Sequence, residues 1–330
     1  MSKALLVTGS HGTIVVANST RYLPLGNAPL VVTATTANAQ VKFRSTGTLS
    51  NLYVRIEANT LEEDAVIRVR RNGALGSAGA SVANGNQTVT VLAGATGEFE
   101  DITNTDTVAD GDTYNYSIVT LSGVNTRLTV ASCIFNANDD TVQKHVASGF
   151  PALAGREYWY AITDNAVSAN TAVDMSAQMA ATAVVKNLFV KVSANGLAGN
   201  TTISILKNST TTLQSVIVPG GGTGTYEDTT NHLLAENDAI MFVVSVPTEA
   251  GLTITPAIVS CEIVTVDKKF HLIYAQASGM ASQAFTTIRF MPIGGGGALE
   301  TTEENVKSEI NLKATASRLG VYVSANSIAA

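Results

Sequence analysis

The sequence repeats itself, and the repeat limits what the chain can fold into more than any other feature. Residues 50–59 (S-N-L-Y-V-R-I-E-A-N) match residues 186–195 (K-N-L-F-V-K-V-S-A-N), with Asn51 aligned to Asn187. At the same spacing, 67–72 (I-R-V-R-R-N) matches 203–208 (I-S-I-L-K-N). Gly97-Glu98-Phe99-Glu100-Asp101 then matches Gly224-Thr225-Tyr226-Glu227-Asp228 at a shorter spacing. The lost residues fall around 73–86, a stretch rich in Ala, Gly, Ser and Asn that reads as a loop. Gly111-Asp112 matches Asn237-Asp238, and Ala131-Ser132-Cys133-Ile134 matches Val259-Ser260-Cys261-Glu262. Matches fall on apolar alternation and gaps on turn-rich segments, as a duplicated unit requires.

A third copy begins and stops. Arg289-Phe290-Met291-Pro292-Ile293 echoes Arg21-Tyr22-Leu23-Pro24-Leu25, and 317–326 echoes 50–59. The expected units are 1–142, 143–268 and a partial third at 269–330, with joints at 136–141 and 266–269. In the partial unit Leu312, Leu319, Val321 and Val323 form an apolar set that needs a partner. They are the candidate assembly residues. The segment either adds strands to a neighbouring subunit, finishes the second barrel of its own chain, or belongs to a sequence cut short.

Within each repeat the pattern is all β. Short β-branched or alternating runs lie at 41–43, 52–56, 66–70, 89–92, 114–119 and 128–134. Turn signals separate them: Arg71-Asn72-Gly73, Ala93-Gly94, Asp110-Gly111 and Ser122-Gly123. Asn72-Gly73 is a two-residue hairpin signal, because both positions favour φ > 0. One stretch, 175–185, holds Ser176-Ala177-Gln178-Met179-Ala180-Ala181 and reads as a turn of helix before returning to strand. Seven or eight short strands over a unit of this length fit an antiparallel jelly-roll sandwich. An immunoglobulin-like sandwich takes about 100 residues. The predicted architecture is tandem jelly rolls.

Composition excludes other classes. Of 330 residues, 45% are hydrophobic and only 14% are charged, against about 25% charged in ordinary globular chains. That is too apolar for disorder. No apolar run approaches the ~18 residues of a transmembrane helix, so no membrane span is expected. The net charge of −6 argues against a nucleic-acid partner, which would need a basic face. The densest basic stretch, Arg68, Arg70 and Arg71, alternates with Ile67 and Val69 and reads as the solvated face of a strand. Ala4-Leu5-Leu6-Val7 is too short for a signal-peptide core of about 7–15 residues. No export signal is expected.

Catalytic constellations are missing from the pattern, so the chain reads as non-enzymatic and without a cofactor. His11, His145, His232 and His271 form no H-x-x-x-H or H-E-x-x-H spacing, and no Gly-x-Ser-x-Gly elbow is present. Gly294 to Gly297 lacks the Lys-Ser/Thr of a phosphate loop. Glu98, Glu100, Asp101, Asp106, Asp110 and Asp112 cluster, and Glu227, Asp228, Glu236 and Asp238 repeat part of the set. Their spacing is not that of a calcium loop, and Asp112 and Asp238 suit turn hydrogen bonds. Cys133 and Cys261 occupy equivalent repeat positions and read as buried apolar residues. Tyr158-Trp159-Tyr160 is the one dense aromatic run, and Trp159 the single tryptophan. It reads as a buried strand anchor or as a glycan contact.

The pattern N-L-x-V, [RK]-N, G-x-[FY]-E-D, [GN]-D, repeated over about 260 residues, resembles the β-sandwich repeats of bacteriophage capsid, decoration and fibre proteins. Double jelly-roll major capsid proteins are of similar size. The resemblance implies a virion structural protein, made in the host cytoplasm, that associates with itself, most simply as trimers, and with other virion proteins. The rival readings are a glycan-binding adhesin module with Trp159 at its site and a secreted surface-layer or filament subunit.

Overall fold

The computed structural model describes residues 4–25, 34, 36–72, 74–75, 87–138, 142–148, 152–160, 162, 177–179 and 182–265. The third repeat, with Leu312, Leu319, Val321 and Val323, lies outside the described residues, as do His271 and the four-glycine run.

The first ten strands are β1 (Ala4–Val16), β2 (Ser19–Pro24), β3 (Val41–Lys42), β4 (Gly47–Leu61), β5 (Ala65–Arg71), β6 (Ala74–Leu75), β7 (Thr88–Val91), β8 (Gly97–Val108), β9 (Thr113–Thr120) and β10 (Gly123–Ala137). Their pairings are nested. β1 pairs with β10, β2 with β9, β4 with β8 and β5 with β7, all antiparallel. One long hairpin has rolled up on itself. It yields two sheets, β1-β10-β4-β8 and β2-β9-β5 with β6 and β7 on β5 and β3 on β9. That is a jelly roll.

The next nine strands are β11 (Val142–Ser148), β12 (Glu157–Tyr160), β13 (Ala177–Gln178), β14 (Ala183–Asn195), β15 (Thr201–Lys207), β16 (Thr211–Val218), β17 (Gly224–Leu234), β18 (Ala239–Ser245) and β19 (Ile254–Thr265). The same nesting recurs: β11 with β19, β12 with β18, β14 with β17 and β15 with β16. The sheets are β11-β19-β14-β17 and β12-β18-β15-β16, with β13 on β18. Every strand of the second set has its counterpart in the first. Below, the first set is the first sandwich and the second set the second.

Alternation explains both cores. β5 buries Ala65, Ile67 and Val69 and turns Arg68 and Arg70 outward. Those residues pack with Leu52, Val54 and Ile56 of β4, Tyr116 and Ile118 of β9 and Cys133 of β10. The second core repeats the set as Leu188, Val190, Val192, Ile203, Ile205, Phe242, Val244 and Cys261. Both cysteines are buried, one per sandwich. Burial pushes the Cys133 thiol up to about 12, so it is an inert packing group.

The repeated motifs are backbone devices. Asn51 and Asn187 have φ of 55° and 57°. At both, two residues stand against one on the neighbouring strand: Asn51 and Leu52 face Cys133 of β10, and Asn187 and Leu188 face Cys261 of β19. Each asparagine is the extra residue of a β-bulge, in the left-handed region that Asn tolerates better than most side chains. Gly97 and Gly224, which open the G-x-[FY]-E-D motif, sit at φ 108° and 105°, where only glycine is unstrained. The hairpin expected at Asn72-Gly73 is formed: Arg71 pairs with Ala74 across it, and Asn72 has φ 49°.

Some expectations need correction. The turn of helix expected over 175–185 is not seen among the described residues there. Ala177–Gln178 is strand β13, hydrogen-bonded to β18, and 183–185 begin β14. Alanine and methionine favour helix in isolation, but pairing with a waiting strand overrides propensity. Among the described residues the helical piece is one 3-10 turn at Thr36–Ala39. β1, β2, β8, β11 and β17 were not among the expected strands. β8 and β17 carry mostly exposed or half-buried side chains, so they lack the apolar alternation that marks a strand.

The bulge gives a direct test. Asn51→Val should cost about 1–2 kcal/mol, the penalty for a β-branched residue in the left-handed region, and Asn51→Gly should change stability by less than about 0.5 kcal/mol. Urea midpoints of the two variants check this; equal midpoints would remove the bulge from the explanation.

Candidate functional site

Residues that looked like chemistry are largely consumed by turns. Asp112 Oδ1 accepts from Asn72 Nδ2 at 2.9 Å, and its Oδ2 accepts from the Ala109 N–H at 2.8 Å and lies 2.7 Å from Arg71 Nη2. Asp238 repeats this with Asn208 Nδ2 at 2.8 Å, the Ala235 N–H at 2.8 Å and Lys207 Nζ at 3.4 Å. Asn72 Oδ1 in turn accepts from the Thr113 N–H, and Asn208 Oδ1 from the Ala239 N–H, both at 2.8 Å. Asp101 and Asp228 form a second matched pair. Asp101 Oδ2 accepts from the Thr88 N–H at 2.8 Å, and Asp228 Oδ2 from the Ser215 N–H at 2.9 Å. These are the turn hydrogen bonds anticipated for Asp112 and Asp238. Among the described residues no three His, Cys, Asp or Glu side chains converge as metal ligands would.

Hydrogen bonding sets the acidity of these groups. Burial works against ionisation of Asp112, but the bonds from Asn72, Arg71 and the Ala109 N–H outweigh it and hold the carboxyl below the usual range. Asp101 and Asp228 follow the same balance. In the more exposed Asp238, the Ala235 N–H and Asn208 dominate. Asp106 is the exception. It is fully buried, and burial raises its pKa despite hydrogen bonds from Gln87 Nε2 at 3.2 Å and the Gln87 N–H at 3.3 Å.

The arginine-bearing strand is a structured face. Ile67 and Val69 are inside, Arg71 holds Asp112, and the Arg70 guanidinium lies over the Tyr22 ring at 5.1 Å. His232 has its Nε2 3.1 Å from Thr230 Oγ1 on β17. The side chains of His11 and His145 lie outside the described residues.

The feature that sequence reasoning missed is a seam between the two sandwiches. The 3-10 turn and β3 of the first lie on the outer face of β14, β17 and β19. Val41, Phe189 and Ile258 form a small apolar cluster there. Lys42 Nζ donates to Glu227 Oε1 at 2.6 Å and sits 6.0 Å from the centre of the Phe189 ring. Arg44 pairs with the other oxygen of Glu227. One carboxylate thus binds two cations beside a buried apolar contact. A groove of about 200 Å³ runs along the seam, lined by Gln40, Lys42, Gly111, Thr113, Phe189, Lys191 and Thr225. Small-molecule sites are typically roughly 300–1,000 Å³, so the seam fits a packing contact better than a ligand pocket.

Trp159 lies on β12, opposite Val243 on β18. Its neighbours Tyr158 and Tyr160 point inward, and Trp159 is half-buried on the other face. The strand-anchor role therefore belongs to the two tyrosines. Exposed aliphatic side chains gather at one end of the first sandwich. Ile14 and Val16 on β1 are 59% and 50% exposed, and Leu121 and Val124 around the β9–β10 turn are 46% and 66% exposed.

No family model matches the chain, and no curated protein matches it. Solved structures that align with it include the Gx strain of infectious bursal disease virus. That alignment has 12% identity, covers 82% of this chain and 73% of that one, and has a TM-score of 0.22. The T13 particle of infectious bursal disease virus aligns at 13% identity over 80% of this chain and 70% of that one, TM-score 0.20. The VP2 subviral particle of the same virus aligns at 12% over 80% and 72%, TM-score 0.19. Likeness at this level carries no argument, and the fold rests on the strand pairings above. Among the described residues no helix is long and apolar enough to cross a membrane.

Asp106 yields a pH test. A folded pKa raised above the unfolded value of about 3.9 means that its contribution is complete below that value and lost as pH rises through the folded pKa. Asp106→Asn keeps an acceptor for Gln87 and removes the buried charge. The melting temperature should rise at pH 7, and the gain should disappear below about pH 4. Asp101, Asp112, Asp228 and Asp238 act with the opposite sign, so the wild-type chain should lose stability as pH falls below about 4. A lower melting temperature for Asp106→Asn at pH 7 would show that the fold needs the buried anion.

Proposed function

We propose that this chain is a non-enzymatic structural subunit of a virion, self-associating in or on a phage capsid as major capsid, decoration or fibre protein. The observation that supports this reading is the tandem itself. Two jelly rolls with the same nested strand pairing meet at the seam described above, and their recurring polar residues hold turns rather than line a cleft. A fold does not fix a function, so the reading also leans on the resemblance of the repeated strand-and-turn pattern to phage capsid, decoration and fibre repeats. In this reading the units run 1–142, 143–268 and 269–330. Association uses surfaces such as the exposed aliphatic end formed by Ile14, Val16, Leu121 and Val124, a cluster of the kind found at protein–protein contacts. Leu312, Leu319, Val321 and Val323 make the third-repeat segment an element that packs onto a sandwich and not a free tail. Homotrimers and contacts with other virion proteins follow, with localisation in the particle.

Solution mass tests it. The full chain should form trimers or larger assemblies without added metal or ligand, and Val124→Asp with Ile14→Asp should return it to monomers with the melting temperature kept. A chain that stays monomeric at every concentration tried would end this reading.

Trp159 supports one alternative, a glycan-binding adhesin or fibre module. An indole half-exposed on a sheet face can stack on a sugar ring. That reading expects Trp159→Ala to abolish binding to a glycan array with folding intact. Wild-type protein that binds no glycan on the array would remove it.

A further inference from the structure

The outer face that receives β3 in the second sandwich is duplicated in the first. On β14, β17 and β19, Phe189 lies opposite Ser260 and Glu227, and Lys191 lies opposite Ile258. On β4, β8 and β10, Tyr53 lies opposite Ser132 and Glu100, and Arg55 lies opposite Val130. Aromatic, acid, cation, aliphatic and serine recur at the same register positions. The second-sandwich copy of this face holds Val41 in its apolar cluster and Lys42 and Arg44 on its glutamate.

The middle of the first-sandwich copy is also covered, while Glu100 at its margin is exposed. Tyr53, Val130, Ser132 and Ile134 are only 2%, 1%, 1% and 5% exposed. They lie on the side of the sheet away from the core, and none belongs to an apolar cluster of described residues. Two adjacent strands do not hide their own outer face; a covering layer is needed. The chain continues for 65 residues beyond Thr265. In that stretch Asn311-Leu312-Lys313 has the polar–aliphatic–lysine order of Gln40-Val41-Lys42, and each triplet precedes a repeated Leu-x-Val strand motif. The corresponding place in the second sandwich, Ala177-Gln178-Met179, carries no cation, so it cannot serve Glu100.

We infer that the outer face of the first sandwich, built by Tyr53, Glu100 and Val130, is a second docking face, and that its occupant is the third-repeat segment of the same chain. Leu312 takes the place that Val41 holds on the other face, against Tyr53 and Val130. Lys313 takes the place of Lys42, over the tyrosine ring and within reach of Glu100. The inference rests on the packing role given above to the third-repeat segment and is independent of the virion reading.

Paired cysteines in the full-length chain test it. Val130→Cys with Leu312→Cys should form an intrachain disulfide on mild oxidation, read as monomer mobility with a mass loss of two hydrogens. Such a bond requires Cα atoms within about 7 Å. Ile258→Cys with Leu312→Cys should not cross-link, because Val41 already fills that face. A second measurement covers the case in which the cysteine variant fails to fold. Lys313→Glu should speed proteolysis within 305–330 about fivefold, as loss of one ion pair at a partly exposed site implies, and adding Glu100→Lys should restore the wild-type rate. A disulfide-linked dimer would give the face to a second copy of the chain. That outcome, or no cross-link together with proteolysis unchanged by Lys313→Glu, overturns the inference while leaving the mass test of the virion reading untouched.

Discussion

Each sandwich depends on one asparagine–aspartate clasp. Asn72 and Asp112 fasten the turn after β5 to the turn before β9, and Asn208 and Asp238 do the same for β15 and β18. The strands so joined are the middle of one sheet, and their register decides which side chains face the core. A slip by one residue would send Ile67 and Val69 to water and Arg68 and Arg70 inside. The clasp therefore does more than cap a loop. It sets the register in which the apolar burial can occur, and the carboxylate in each clasp is held below its usual pKa by the bonds it accepts.

The second requirement is distance. The outermost pair in each sandwich joins strands at opposite ends of the unit, Ala4 with Asn136 and Val142 with Val264. Such contacts carry a large loop-closure cost and come late in folding. The inner hairpins lower that cost step by step, because each nested pair brings the next within reach. Local devices such as the Asn72 turn, the bulges at Asn51 and Asn187 and the glycines at 97 and 224 sit where the chain must turn or twist for the nesting to proceed.

Much of this was legible in the sequence, for reasons that differ by residue. β5 and β15 announced themselves because one face is buried and the other wet, so I-R-V-R and I-S-I-L read as strands. The asparagines and glycines of the repeats were visible as matches, though their left-handed backbone was not. β8 and β17 were hidden because Thr, Asn and Glu dominate both of their faces. β13 was misread because two residues of strand carry too little pattern to outweigh a helix-forming neighbourhood. The seam could not be read at all. Lys42 and Glu227 are far apart in sequence, and each looks like an ordinary surface charge until the fold brings them to 2.6 Å. Trp159 was visible as the single indole, but which of three adjacent aromatics faces outward needed the register of β12 on β18.

Because the first and last strands of a sandwich lie side by side, its two chain ends emerge together. The link from β10 to β11 spans only residues 138–141. Such a unit behaves as a cassette. It can be copied in tandem with a few connecting residues and no rethreading of its neighbour, and in principle permuted by joining its ends. Growth by whole units would then demand only a matching outer surface, and that surface is already present in duplicate.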